Sequence, residues 1–291
     1  MKTAIETPAI VPREKLDFGL NGDIPKYWFD GDPFKTRLLD ALSTVFPEGE
    51  RFFIMSVREF RDQISDPQLQ QDVQNFVRQE GQHTLIHNQY NARLKSQGMP
   101  VERIAQNQRA VNEVRRVKFS KGFNVALTAA AEHITAIMTE AFFDRRLVLA
   151  KADPRMRALW AWHSFEELEH KAVAFDVMRK VAKVGYFRRC AAMVIILVNF
   201  NFQMLKIANI MLRIDGFEEK ERKRIFRQGL KWLYGPGGML PRIFGHMFSY
   251  FKPGYHPWQQ RESVNYKAWL DTYNRTGDMV AAGDVLFAAG T

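Results

Sequence analysis

The amino-acid sequence predicts an all-α protein, and three observations support this fold class. Apolar residues recur with helical spacing from about residue 34 onward, whereas the alternating pattern of β-strands is scarce. The dipeptides Asp66-Pro67 and Asp153-Pro154, which are typical helix starts, precede two of the helical runs. Hydrophobic residues make up 46% of the 291 positions, which is enough for a substantial core.

The helical pattern divides the chain into three regions. Residues 1–33 contain several prolines and few periodic apolar positions, and are interpreted as an irregular N-terminal leader. Residues 34–185 contain five helical runs and are predicted to form a helical bundle. Residues 186–291 are predicted to form a C-terminal helical and aromatic extension that packs on the bundle.

Turn-forming residues predict the boundaries of the runs in the bundle region. Pro47 and Gly49 predict that the first run begins just before Glu50. If so, Glu50 lies in the first turn of a helix, where any acidic residue gains from the helix dipole. The other four runs are predicted to span about 67–96, about 101–117, 119 to about 151, and from 154 onward.

Composition argues against several classes of protein. The net charge is +10, but the sequence lacks a zinc finger, an RNP-type aromatic pattern and a basic-region heptad, so we expect no nucleic-acid partner. The single Cys190 excludes an internal disulfide framework and a cysteine-based zinc site. The N-terminal residues lack the apolar core of a signal peptide, so the expected location is cytoplasmic.

The stretch 190–212 is apolar but interrupted by polar residues such as Asn199, Gln203 and Lys206. A transmembrane helix needs about 20 mainly apolar residues, so we interpret this stretch as a buried or interfacial helix. A basic stretch follows at 213–232. Peripheral membrane contact through 190–232 is therefore an alternative expectation.

The segment WHSFEELEHKAVAFD (162–176) places polar side chains where a core helix would carry leucines. His163, Glu167 and His170 are spaced i, i+4 and i+7, so they lie within roughly 60° on one face of a helix. An upstream segment, QEGQH, carries Glu80 and His83 with the same Glu-x-x-His spacing. Each of these two motifs follows a lone glutamate, Glu50 or Glu132, by 30–35 residues.

A doubled Glu-x-x-His motif with two further glutamates is the pattern that a carboxylate-bridged two-metal site in a four-helix bundle requires. Iron(II) and manganese(II) accept carboxylate and imidazole ligands, and thiolates are not needed. We therefore predict a ferritin-like four-helix bundle with a di-metal core and additional C-terminal helices. Its predicted cofactor is two iron ions, with manganese or zinc as alternatives, held by Glu50, Glu80, His83, Glu132, His163, Glu167 and His170.

Other acidic and histidine residues near the motifs have weaker roles. Glu132, by contrast, has small apolar neighbours in the sequence, so we expect its carboxylate to be buried. A buried carboxylate needs a partner, which favours a ligand role for Glu132. His87 and Asp176 are expected to orient ligands rather than to bind metal, Asp176 only if helix packing allows it. Glu166 and Glu169 lie on other faces of the helix and are interpreted as solvated charges, and His133 is not expected to be a ligand.

The chain resembles a bacterial, ferritin-like family known as predicted metal-dependent hydrolases. The resemblance rests on VREF (57–60), QEGQH (79–83), the helix bearing Glu132, WHSFEELEHKAVAFD (162–176) and YFKPGYHPW (250–258). The ligand pattern alone is also similar to that of p-aminobenzoate N-oxygenase-type di-iron enzymes, which share the His-x-x-x-Glu-x-x-His spacing. That second resemblance implies an oxygen-activating site with three histidines.

These observations favour a di-iron oxidase or oxygenase that uses O2 to oxidise an organic, apolar substrate. The alternative is a two-metal-dependent hydrolase, as the family label implies. Further alternatives are an iron-handling protein and a membrane-associated helical protein without metal. An electron donor and a homodimer are candidate partners that the sequence does not specify.

Overall fold

The all-α prediction is confirmed. The computed structural model describes residues 8–144, 148–260, 263 and 265–288, and these contain helices but no strand beyond an isolated bridge between Phe29 and Ala152. The helices are α1 (Pro33–Arg58), α2 (Pro67–Ser96), α3 (Val101–Lys118), α4 (Lys121–Thr139), α5 (Pro154–His170), α6 (Val173–Asp176), α7 (Tyr186–Ile214), α8 (Glu219–Tyr234), α9 (Phe244–Ser249), α10 (Tyr266–Thr276) and α11 (Met279–Ala288).

The helices α1, α2 and α5 begin with the same local signal, an aspartate followed by proline. The side chains of Asp32, Asp66 and Asp153 each accept a hydrogen bond from a backbone N–H in the first turn. A backbone N–H at the first helical position has no acceptor within the helix, so proline, which lacks this N–H, loses no hydrogen bond there. The fixed φ of proline also suits the first helical position. The starts predicted from Asp66-Pro67 and Asp153-Pro154 are therefore confirmed.

The predicted helix start at Pro47 is wrong. Pro47 lies inside α1, which already begins at Pro33, so Glu50 is in a helix interior and is buried. Proline removes the hydrogen bond to the carbonyl four residues earlier, here that of Ser43. The side chain of Asn91 on α2 donates to this carbonyl over 2.9 Å, so an interior proline leaves no unpaired acceptor.

The predicted run from 119 to about 151 is also shorter in the structure. Helix α4 ends at Thr139 and continues as a π-helical turn, Glu140–Asp144. Residues 145–147 of the predicted run lie outside the described part of the chain. A second π-helical turn, Val177–Val181, follows α6.

Four helices enclose the predicted ligand residues. Helix α1 packs along α2 and α4 packs along α5, while α1 also contacts α4 and α2 contacts α5. Each of the four contributes at least one of the predicted ligands, all on faces that point toward the other three helices. The ferritin-like topology and the division into three regions remain predictions.

Helix α7 packs against α1 and α4, and α11 packs against α5. Within the described residues, α7 is the helix that is long and apolar enough to cross a membrane by length and composition. Only 28% of its most apolar 18-residue stretch is buried in the protein. The N-terminal leader also packs on the bundle, where Trp28 Nε1 donates to Asp40 Oδ1 on α1. These additions cover the bundle but leave the outer face of α7 open.

Candidate metal centre

The structure brings the seven predicted ligand residues together in one buried cluster. None of their side chains is more than about 4% exposed. They form two groups, and within each group the ligand atoms all lie within 4.8 Å of one another. The first group is Glu50, His83 and His163, and the second is Glu80, Glu132, Glu167 and His170.

The two groups meet at Glu80 and Glu167. His83 Nδ1, of the first group, lies 3.8 Å from Glu80 Oε2 and 3.5 Å from Glu167 Oε1. On the other side, His170 Nε2 lies 3.4 Å from Glu80 Oε1 and 3.5 Å from Glu167 Oε2. Both glutamates thus turn one carboxylate oxygen to each group, which is the position of a bridging carboxylate.

The cluster contains buried polar atoms that make no hydrogen bond. In a protein interior such atoms are costly, and most buried polar groups are paired. The unpaired atoms converge on the cluster, which fits a centre that accepts cations. They are Glu50 Oε1, both carboxylate oxygens of Glu80 and of Glu132, His83 Nδ1, His163 Nε2 and His170 Nε2.

The second ring nitrogen of each histidine in the cluster is held by a neighbour. His83 Nε2 lies 3.1 Å from Glu166 Oε2, and His170 Nδ1 lies 2.8 Å from Gln79 Oε1. Because these oxygens accept, each ring donates an N–H outward, and its other nitrogen faces the cluster, where it can bind a metal ion once that nitrogen is deprotonated.

A hydrogen-bonded chain holds His163. Its Nδ1 lies 3.1 Å from His87 Nε2, and His87 Nδ1 lies 2.9 Å from Ser43 Oγ. Ser43 Oγ donates to Asn91 Oδ1 over 3.0 Å, so the chain can run in one direction from His163 to Asn91. This direction leaves the lone pair of His163 Nε2 facing the cluster. His87 thus contacts a candidate ligand, and its role in orienting that ligand remains a prediction.

Glu166 and Glu169 are not solvated charges, contrary to the sequence interpretation. Both are fully buried on α5, where Arg13 of the leader pairs with Glu166 Oε1 at 2.9 Å and with Glu169 Oε1 at 2.8 Å. Helical spacing assigned these residues to other faces correctly, but it carries no information about a distant segment that covers them. The Arg13 pairing had no motif in the sequence that could have revealed it.

Asp176 does not orient a ligand histidine. It pairs instead with His256 Nε2 and Lys180 Nζ, each at 3.1 Å. Helix α5 ends at His170 and a turn separates it from α6, so the angular alignment expected for a continuous helix is lost. His133, as predicted, lies outside the cluster: its ring nitrogens contact the carbonyl oxygen of Met247 and the hydroxyl of Tyr255.

Burial governs the ionisation of the carboxylates in the cluster. It raises the pKa of Glu50 to about 8, and it also raises the pKa of Glu80 and of Glu132, with neighbouring carboxylates adding to the effect. Burial opposes charge on Glu167 too, but the adjacent His170 and His83 hold its pKa well below the ordinary value. Four carboxylates this close together repel one another when ionised, so their arrangement favours the binding of a cation.

The four histidines divide into two kinds. Burial opposes their positive charge, yet contacts with carboxylates raise the pKa of His83 and His170 well above the ordinary value. The pKa of His87 and His163 is lowered well below that value by burial and by the nearby His83. Neutral rings at His87 and His163 agree with the hydrogen-bonded chain described above.

A cleft between α1, α3, α4 and α7 borders the cluster. The space inside it that water can occupy is about 70 Å³, and Phe46 and Thr135 form part of its wall. The ring of Phe46 stacks on His163 with centroids 4.6 Å apart. Thr135 Oγ1 donates a hydrogen bond to Glu167 Oε2 over 2.5 Å. These two side chains separate the cleft from the candidate ligands.

Together the fold and the cluster define an all-α protein with buried, clustered candidate metal ligands. The chain belongs to the family described as "Predicted metal-dependent hydrolase", which matches residues 12–261. The resemblance predicted from the motifs is thus confirmed. Comparison with curated proteins and with solved structures finds no match for the chain. The similarity to p-aminobenzoate N-oxygenases remains a prediction from the ligand pattern.

Proposed function

We propose that this protein is a two-metal enzyme whose centre lies among α1, α2, α4 and α5. The observation that carries the proposal is the convergence of buried carboxylate and imidazole atoms, many without a hydrogen bond, in two adjoining groups. Glu50, His83 and His163 would hold one ion. Glu132 and His170 would hold the other, and Glu80 and Glu167 would lie between the two.

When bound, zinc or manganese would supply hydrolytic chemistry by polarising water and a substrate oxygen, and iron would supply O2-dependent oxidation. The chain itself fixes the ligands. Glu166, Gln79 and His87 hold the outward nitrogens of the three histidines, so each ring keeps its orientation without metal.

Hydrolysis is the first candidate reaction, because the family to which the chain belongs is described by that activity. The ligand set is compatible with it, since oxygen and imidazole ligands suit zinc and manganese. Bordering the centre is a cleft whose wall carries the phenylalanines Phe46, Phe52 and Phe53. We therefore expect an apolar substrate.

Oxidation with O2 is the second candidate, and the enclosure of the centre favours it. Aromatic rings pack against its histidines: Phe76 lies 5.0 Å from His170 and Trp162 lies 4.9 Å from His83, between ring centroids. Such walls exclude water, which a hydrolase must admit and an oxidase benefits from excluding.

Metal content tests the shared part of the proposal. Metal-free protein is incubated anaerobically with Fe(II), Mn(II) or Zn(II), desalted and analysed by mass spectrometry. We expect about two ions per chain, as in other paired Glu-x-x-His centres. Variants that replace a candidate ligand glutamate by glutamine are compared with Glu102→Gln as the matched control, because Glu102 is exposed on α3. Absence of stoichiometric metal from the native chain would refute the proposal.

The reaction is tested on the loaded forms. Turnover of p-nitrophenyl acyl esters by the zinc or manganese form without O2 supports hydrolysis. Uptake of O2 by the iron form, with a change in its visible spectrum, supports oxidation. Equal activity in loaded and metal-free protein contradicts both reactions.

A further inference from the structure

The wall of the cleft carries a positive charge that has no anionic partner among the described residues. Arg115, on α3, lines the cleft and is partly buried. Its guanidinium hydrogen-bonds to Asn112 Oδ1 over 3.3 Å and lies 5.8 Å from the ring centroid of Phe52. In the described part of the chain no carboxylate forms an ion pair with it.

Neighbouring arginines of α3 behave differently. Arg109 pairs with Glu48 and Arg116 pairs with Glu113, each at 2.8 Å. Burial lowers the pKa of Arg115, which means that its charge is partly desolvated without compensation. A desolvated cation without a partner is costly, so the position suits an anion supplied by a ligand.

Beyond the cleft lies a second cavity of similar size, and Ile134 and Phe200 line both. Its wall is almost wholly apolar and includes Leu38, Met138 and Met204. The two cavities therefore adjoin each other at Ile134 and Phe200. A ligand with a polar head and an extended apolar tail fits this sequence of environments.

We propose that the cleft binds a single-chain amphiphile, with its anionic head at Arg115 and its acyl chain along Ile134 and Phe200. This inference rests on the proposed function and names the substrate class of the same centre. The chain of the ligand passes Thr135 and Phe46, the two side chains that border the candidate ligands.

Calorimetric titration of metal-free full-length protein tests the inference independently of activity. The probes are decanoate and decyl phosphate, which carry different anionic heads, and 1-decanol, which carries none. We expect both anions to bind more tightly than decanol. Arg115→Gln should weaken anion binding roughly tenfold and leave decanol binding unchanged, because it removes a charge-assisted contact. Binding of only one anion would identify the source of the head group.

Arg116→Gln is the matched control, since Arg116 is adjacent, exposed and paired on the surface. Equal affinity for anions and decanol, an equal loss in both arginine variants, or no binding at all would overturn the inference. Metal content of Arg115→Gln is measured in parallel. Normal metal uptake with no amphiphile binding overturns this inference alone, whereas amphiphile binding by a chain that takes up no metal when it is offered overturns the two-metal proposal alone.

A separate observation concerns the outer face of α7. Phe187, Val194, Val198 and Phe202 are exposed, Phe187 by 85% and Phe202 by 67%. Their spacing of seven, four and four residues aligns them in one stripe along the helix. No acidic residue occurs between Phe187 and Ile214. Such a stripe on a long helix is typical of a protein that contacts an apolar phase.

Helix α8, which follows, adds positive charge. Six of its residues are Lys or Arg and two are Glu, and its buried side is formed by Ile225, Gly229 and Leu233. Basic residues beside an apolar stripe complement an anionic lipid surface. We infer that α7 and α8 dock on an anionic membrane surface, which places the cleft, whose wall includes Asn199 and Gln203 of α7, beside the lipid.

Vesicle sedimentation tests the docking inference. We expect native protein to sediment with phosphatidylcholine vesicles that contain phosphatidylglycerol and to stay in solution with phosphatidylcholine alone. Val198→Glu combined with Phe202→Glu should abolish sedimentation. Leu85→Glu is the control, because Leu85 is equally apolar and 56% exposed on α2. Failure of native protein to sediment, an equal loss with Leu85→Glu, or a dimer that only the α7 variant dissociates would overturn the inference.

Discussion

Each of the three histidines in the candidate centre faces the cluster with one ring nitrogen and contacts a partner outside it with the other. Spacing of i, i+3, i+4 and i+7 in the sequence predicted that the residues of each Glu-x-x-His motif, and His163, share a helix face. Glu50 and Glu132 were predicted instead from their matching offsets of 30–35 residues to these motifs. The partners Gln79, Glu166 and Arg13 could not be predicted in this way. They come from other faces or other segments, and their roles depend on how the chain packs in three dimensions.

The Glu80→Gln and Glu167→Gln substitutions test the two positions between the ligand groups. Each removes a negative charge while keeping shape and volume, so the fold should persist. We expect loss of stoichiometric metal from both variants and unchanged far-UV circular dichroism. Retention of full metal content in both would show that these glutamates do not bridge ions.

At the scale of helices, the sequence predicted the starts of α2, α3 and α5 but not the continuity of α1. Asp-Pro signals are local, because the capping aspartate and the proline act on the turn that they open. Pro47 was misread since its effect depends on Asn91, which is 44 residues away in sequence and pairs with the carbonyl of Ser43. The residues around Pro47 therefore carry no sign that the helix continues through it, because the compensating donor lies on another helix.

The pairing of Pro47 and Asn91 predicts a non-additive stability change. Asn91→Leu leaves the Ser43 carbonyl buried without a donor, which should cost about 1–3 kcal/mol of unfolding free energy. In a Pro47→Ala background the restored N–H can bond to that carbonyl, so the cost of Asn91→Leu should be smaller. Urea unfolding of the four chains in this double-mutant cycle measures the difference. Equal costs in both backgrounds would contradict the account.

Contact between α8 and α1 depends on a glycine. A Cβ at Gly229 would lie 2.1 Å from Phe34 Cγ, and Phe34 is buried. Gly229→Ala should therefore lower the free energy of unfolding by about 1–3 kcal/mol through overpacking. Gly245→Ala in α9 is the control, since a Cβ there meets nothing within 4 Å. Thermal unfolding compares the two, and equal stability would argue against close helix contact at Gly229.

On the scale of the whole molecule, the N-terminal leader is part of the centre. Arg13 lies between Glu166 and Glu169, and the backbone N–H of Val11 also donates to Glu169. Its proline content predicted irregular structure but not this buried contact. The leader is therefore bound directly to α5, the helix that carries three candidate ligands.

Removal of the Arg13 charge should destabilise the molecule. Arg13→Met leaves two buried carboxylates without their cation, which should cost about 3–5 kcal/mol of unfolding free energy. Arg78→Met is the matched control, because the Arg78–Glu14 pair is largely exposed and surface pairs contribute about 0–1 kcal/mol. Chemical denaturation measures both. Similar small losses would mean that the Arg13 pairs contribute no more than a surface contact.

The two π-helical turns, Glu140–Asp144 and Val177–Val181, have a consequence for helical phase. One turn follows the helix of Glu132, and the other follows the segment after His170. A π turn holds one residue more than an α turn and is seldom extended, so each turn ends its helical run. The next described residues, 148–153 and 182–185, are not helical. The packing of the following helices is therefore independent of the helical phase that sets the ligand side chains.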